Sequence, residues 1–139
     1  MSVLYRTEAT ATGGRTGEAA TTDGALRVVL TTPKELGGTG GEGNNPEQLF
    51  AAGYAACFQS ALMIVARMNQ TPIPDDSTVT AQVDLDKFGN GAYGLGVRLK
   101  VDLKGMDKET GKQLVDKAHQ ICPYSVGVKD NVKVELEVV

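Results

Sequence analysis

Two short stretches near the N-terminus alternate apolar and polar positions. Val3, Tyr5, Thr7, Ala9 and Ala11 share one face over residues 2–11, and Leu26, Val28 and Leu30 share one over 25–31. Each predicts a strand, and Gly13-Gly14 predicts a turn from which Arg15 to Thr21 returns as a third. The period changes after Asn45. Leu49, Phe50, Gly53, Tyr54, Cys57, Ala61, Leu62, Val65 and Met68 recur at i, i+3/i+4, flanked by Ala51, Ala52, Ala55, Ala56, Ile64 and Ala66. This predicts a helix apolar nearly all round, and so buried at the centre of a structure. Its start is marked several times over: Asn45 can cap, Pro46 suits the first helical position, Gln48 can complete a capping box, and Glu47 places a negative charge in the first turn. Pro72 and Pro74 are expected to end it. Residues 77–88 and 92–104 alternate again around Phe88-Gly89-Asn90-Gly91 and predict a hairpin. Asp107 opens a second helix that Pro123 stops near Cys122, and Val132 to Val138 predicts a closing strand. The order β-β-β-α-β-β-α-β lacks βαβ alternation and predicts one α+β domain over 1–139, an antiparallel sheet with two helices on one side.

Composition narrows the partners. There are 14 basic and 17 acidic residues, net −3, with no basic patch interleaved with aromatics, so nucleic acid is not expected. The apolar segments are broken within a few residues, which argues against a membrane span. Met1 to Arg6 has no secretory character, so the expected compartment is the cytoplasm. Much of the glycine lies in residues 13–43. Pro33 to Asn45 alone holds five, and a loop of that length is expected to be functional or mobile.

Two cysteines, Cys57 and Cys122, and one histidine, His119, are too few for a disulfide scaffold and make a metal site hard to assemble. By counts alone, inert buried thiols are the plainer reading. Cys57 lies mid-helix, where the helix dipole gives little help and apolar surroundings raise a thiol's pKa, so activation must come from another element. Arg15 stands between Gly13-Gly14 and Thr16-Gly17, where small residues permit close backbone approach; a solvated hairpin arginine is the plainer alternative. Glu47 is ten residues before Cys57 on roughly the same helix face, about 15 Å away along the axis, and can hold an arginine that reaches both; otherwise it is an ordinary first-turn acid. Cys122 ends a helix at Pro123, where a thiol can be accessible, or else is structural. His119 is one turn before it, either lowering its pKa or simply on the surface. Phe50, Tyr54, Phe58 and Tyr124 line an apolar pocket or pack a core.

Two motifs carry a resemblance. Gly41 to Phe58, reading Gly-Glu-Gly-Asn-Asn-Pro-Glu-Gln-Leu-Phe-Ala-Ala-Gly-Tyr-Ala-Ala-Cys-Phe, resembles the first-cysteine signature of the OsmC-like proteins, in the form of their organic hydroperoxide resistance branch. Ala118-His119-Gln120-Ile121-Cys122-Pro123-Tyr124-Ser125 resembles that branch's second-cysteine motif. Length, element order and Gly13-Gly14-Arg15-Thr16-Gly17 agree, while the Gly-rich 37–43 stretch is longer than the usual form. The resemblance implies antiparallel sheets with two central helices, an intertwined homodimer, and a cysteine-based peroxidase reducing alkyl and lipid hydroperoxides. By the same resemblance Cys57 is peroxidatic, Cys122 resolving, and Arg15 and Glu47 catalytic. Phe50, Tyr54, Phe58 and Tyr124 are then candidate substrate-binding walls. No bound cofactor or metal is implied; an external dithiol, dihydrolipoamide on a lipoylated protein, is the implied reductant. The alternatives are a general OsmC-type peroxidase of broader substrate range and a non-catalytic apolar ligand-binding dimer with inert cysteines.

Overall fold

The alternating N-terminal stretches form strands shorter than their patterns. In the computed structural model, which describes Met1–Val139, the chain falls into two units, Met1–Leu49 and Phe50–Val139. In the first, β1 (Ala9–Thr12), β2 (Glu18–Thr21) and β3 (Arg27–Val29) make an antiparallel sheet in sequence order. Residues 2–8, expected to be strand, lie outside it. Val3, Leu4 and Tyr5 are exposed, because alternation sets a face but only a paired strand holds it. A 3-10 turn, Gly14–Thr16, joins β1 to β2. A Cβ at Gly17 would stand 1.7 Å from the Thr12 carbonyl oxygen, so this tight return admits no side chain there. The glycine-rich segment is tied at both ends: Asn44 N–H donates to Val29 O (2.8 Å) and Thr31 N–H to Asn44 O (2.9 Å). A second 3-10 turn, Lys34–Leu36, lies inside it.

The first long helix, α1, runs Pro46–Met68. Its predicted capping box is present: Gln48 N–H donates to Asn45 Oδ1 (2.8 Å) and Asn45 N–H to Gln48 Oε1 (3.0 Å). The helix stops before Pro72. Gln70 turns left-handed (φ 52), Gln70 N–H donates to Arg67 O (3.1 Å) and Thr71 N–H to Ala66 O (2.9 Å), a Schellman ending that satisfies the last carbonyls. Expected to be buried all round, α1 is buried on one face, through Tyr54, Phe58, Ala61, Leu62, Val65 and Ala66. Met63, Ile64 and Met68 are exposed. By length and composition α1 is apolar enough to cross a membrane, contrary to the expectation from broken apolar segments; its buried face belongs to a protein core.

In the second unit, β4 (Thr78–Lys87) and β5 (Tyr93–Asp102) form the predicted hairpin, registered from Thr78↔Asp102 to Lys87↔Tyr93. Val97, Leu99 and Val101 of β5 are buried with the α1 face. Asp107 caps α2 (Lys108–Ile121), accepting from Thr110 N–H at 2.9 Å. A short α3 (Pro123–Val128), not predicted, follows directly. The closing strand, β6 (Lys133–Val138), corrects the antiparallel expectation: it pairs parallel to β5, from Gly96↔Lys133 to Val101↔Val138. The reason is the connection. A helical crossover carries the chain back to the end where β5 began, whereas a tight turn would have reversed it.

Removing the cap side chain tests the start of α1. Asn45→Ala is expected to cost about 1 kcal/mol, read in a thermal melt as a fall in Tm of about 3 °C.

Candidate active site

Each unit brings together one pair of the residues singled out in the sequence. In Met1–Leu49, the 3-10 turn between β1 and β2 presents Arg15 to Glu47 in the first turn of α1. The guanidinium donates twice, Nη1 to Oε2 at 2.8 Å and Nη2 to Oε1 at 2.6 Å. The side chains are 37% and 17% exposed. This bidentate fork fixes the plane of the guanidinium and leaves three of its five N–H donors unused by the carboxylate. It also shifts both groups. The hydrogen bond to Glu47 raises the Arg15 pKa, and the same bond holds the Glu47 carboxyl below its ordinary value, against its partial desolvation.

In Phe50–Val139, Cys57 of α1 and Cys122 are both free thiols, with Sγ atoms 3.6 Å apart. Cys57 is partly exposed and Cys122 fully buried. Proline decides where Cys122 points. Pro123 disfavours helical geometry in the residue before it, and Cys122 is extended (φ −62, ψ 121). Cys122 therefore ends α2, donating its N–H to Ala118 O (2.8 Å), and starts α3, accepting from Val126 N–H (2.9 Å). Burial pushes the Cys57 thiol up, the neighbouring Cys122 adds to that, and the Tyr124 backbone N–H opposes it. Within this unit, then, burial works against the Cys57 thiolate. His119 is half-buried rather than on the surface. Desolvation lowers its pKa, and its Nδ1 has no partner.

The four aromatic candidates separate into two kinds. Tyr54 and Phe58 are fully buried members of the core; they are packing residues in this chain and not open walls. Phe50 is half-buried and Tyr124 is 39% exposed. Phe50, Tyr54 and Tyr124 stack edge-on and tilted, with centroids 5.5–5.9 Å apart. Tyr124 lies over Gly53, where a Cβ would come within 2.7 Å of its hydroxyl. Two residues escaped the sequence reading: Ser125, whose buried hydroxyl is 2.9 Å from that of Tyr54, and Gly53 as the seat of Tyr124. The available signal was spacing, since Tyr54 precedes Cys57 by three residues and Ser125 follows Cys122 by three. No group of three or more His, Cys, Asp or Glu side chains is placed to hold a metal ion.

Comparison with known proteins finds a match to the OsmC-like protein family over residues 38–137. An organic hydroperoxide resistance protein of Xanthomonas axonopodis pv. citri is 49% identical over 134 residues, covering 96% of this chain and 94% of its own. Among solved structures, an organic hydroperoxide resistance protein from Legionella pneumophila superposes with TM-score 0.93 at 45% identity, covering 99% of this chain and 98% of that one. OhrB of Bacillus subtilis superposes with TM-score 0.90 at 43% identity, covering 99% and 100%. The α+β fold is the one those structures have.

The fork between Arg15 and Glu47 has a defined pH window. A carboxyl whose folded pKa is depressed contributes stability above its unfolded value and loses it as pH falls through the folded one. The pair is expected to be intact at about pH 5 and above, dissolving only below the ordinary glutamate value of about 4.3. An NMR titration of the Glu47 carboxyl checks this: its midpoint should be low in the parent chain and return toward the ordinary value in Arg15→Met.

Proposed function

The chain belongs to the OsmC-like protein family, and from that premise we propose that it is a thiol-dependent peroxidase that reduces organic hydroperoxides, alkyl and lipid, to alcohols. The observation that carries this reading is the 3.6 Å approach of a partly exposed Cys57 to a buried Cys122. It is supported by near full-length similarity to organic hydroperoxide resistance proteins.

The Cys57 thiolate attacks the distal oxygen of the hydroperoxide and breaks the O–O bond; the alkoxide takes a proton and leaves as alcohol, and Cys57 becomes a sulfenic acid. Cys122 then attacks that sulfur, and its thiol proton departs with the sulfenic hydroxyl as water. The resulting Cys57–Cys122 disulfide is reopened by an external dithiol through a mixed disulfide; dihydrolipoamide, carried on a lipoylated protein, is the reductant this reading assigns. Because burial raises the Cys57 pKa, the reaction needs a cation to favour the thiolate and the departing alkoxide. We assign that role to Arg15, oriented by Glu47, through charge-assisted hydrogen bonds. Phe50 and Tyr124, with Tyr54 packed against both and Phe58 in the core, supply apolar surroundings that favour an alkyl peroxide over hydrogen peroxide.

The working form proposed is a cytoplasmic homodimer. Met63, Ile64 and Met68 form an exposed apolar stretch on α1, and a second copy of the chain is the occupant this reading gives it. No metal and no bound cofactor enter the mechanism.

Cumene hydroperoxide consumption with dihydrolipoamide tests the proposal. Cys57→Ser should abolish it; persistence of turnover in that variant would sink the reading. Arg15→Met should slow thiol oxidation by about 10²–10³-fold, the usual loss when one donor to a developing oxyanion is removed, with Cys57 still present and reduced.

A further inference from the structure

Tyr54 and Ser125 bring to the core the hydroxyl contact that the mechanism above does not use. Tyr54 is 0% and Ser125 2% exposed, and their oxygens are 2.9 Å apart. The phenol belongs to α1, three residues before Cys57. The serine belongs to α3, three residues after Cys122. Tyr54 and Cys57 are three apart on α1 and so lie on the same side of it, while Ser125 stands in the first turn of α3, which the extended Cys122 precedes. The hydroxyl pair and the thiol pair are thus two contacts joining α1 to the junction of α2 and α3. The junction is otherwise a break in the helix, because Cys122 is extended ahead of Pro123. A break of this kind lets α3 tilt unless something ties its first turn down. Tyr124 lies over Gly53, its ring 5.5 Å from that of Tyr54.

We infer that Tyr54 and Ser125 are positioning residues, a buried hydroxyl clamp that holds Cys122 at Cys57 and so sets how readily the disulfide closes. Closing the bond needs the sulfurs to approach from 3.6 Å to about 2.05 Å. The clamp keeps that approach short by holding the first turn of α3 to α1. The inference rests on the disulfide chemistry proposed above, and it explains how the second cysteine wins a race. Once Cys57 is a sulfenic acid, Cys122 can condense with it, releasing water. Alternatively a second hydroperoxide can oxidise it to sulfinic acid, releasing alcohol. Holding the two contacts together favours the first outcome. Neither hydroxyl touches the peroxide; both act through the position of Cys122.

The test uses the full chain and three variants: Tyr54→Phe, which keeps the ring, Ser125→Ala, and the two together. In a glutathione redox buffer, the equilibrium constant for the Cys57–Cys122 disulfide should fall about tenfold in each single variant, the scale of one buried hydrogen bond lost with its partner left unpaired. The double variant should fall no further, because both substitutions break one contact. With excess cumene hydroperoxide, the single variants should carry severalfold more Cys57 sulfinic acid by mass spectrometry. An unchanged glutathione equilibrium would overturn the clamp, even with a lowered Tm in the reduced form, since that pattern describes packing alone. Fully additive losses in the double variant would overturn it as well. The glutathione equilibrium needs no hydroperoxide turnover, so a parent chain that fails to consume peroxide sinks the enzymatic reading while the clamp is still decided.

Discussion

Burial of one face of α1 is the constraint from which the rest of the larger unit follows. Tyr54, Phe58, Leu62 and Val65 lose nearly all their exposure in a core shared with Val97, Leu99 and Val101 of β5 and with Leu114, Val115 and Ala118 of α2. Burial of each large side chain of this kind contributes about 1.5–3 kcal/mol. Once that face is committed, the positions beside it are committed too. Cys57 sits one turn after Tyr54 and one residue before Phe58, which leaves its thiol at the margin of the core, partly exposed. The side of the helix carrying Met63, Ile64 and Met68 is left open.

The same burial sets the electrostatic problem of the site. An apolar margin raises a thiol's pKa, and the Tyr124 amide opposes only part of that effect at Cys57. Arg15 and Glu47 show the opposite environment, a half-exposed pair in which two hydrogen bonds outweigh desolvation and both groups stay charged. A fork of this type is more useful for its geometry than for its stability. At a surface such pairs contribute little net energy, yet the bidentate arrangement aims the guanidinium and keeps donors free. The proposed chemistry needs both environments: a dry setting where a disulfide can form, and a cation that opposes the dryness when a thiolate is required.

Proline and glycine shape the second thiol's surroundings by subtraction. Pro123 withholds helical geometry from Cys122, so a single chain of helix becomes α2 and α3 with a buried sulfur at the corner. Gly53 withholds a side chain from α1, so the Tyr124 ring can lie on the helix backbone. The Tyr54 and Ser125 hydroxyls then meet at 2.9 Å between α1 and α3.

Much of the local order was determined by the sequence alone, residues 2–8 and α3 excepted. The capping box at Asn45 and Gln48, the long apolar helix, the β4–β5 hairpin and the Asp107 cap are each written in residues a few positions apart, and each is present in the structure. The two cysteine motifs likewise marked the family from contiguous residues. What only the tertiary structure decided are the relations between distant residues: the parallel pairing of β6, the 3.6 Å between Cys57 and Cys122, the fork from Arg15 to Glu47, and the hydroxyl contact of Tyr54 with Ser125. Periodicity tells which side of an element is apolar, and it says nothing of which element will cover that side. For Cys57 this is the difference between a thiol packed alone and one 3.6 Å from Cys122, and it follows from where the corner at Pro123 comes to rest against α1.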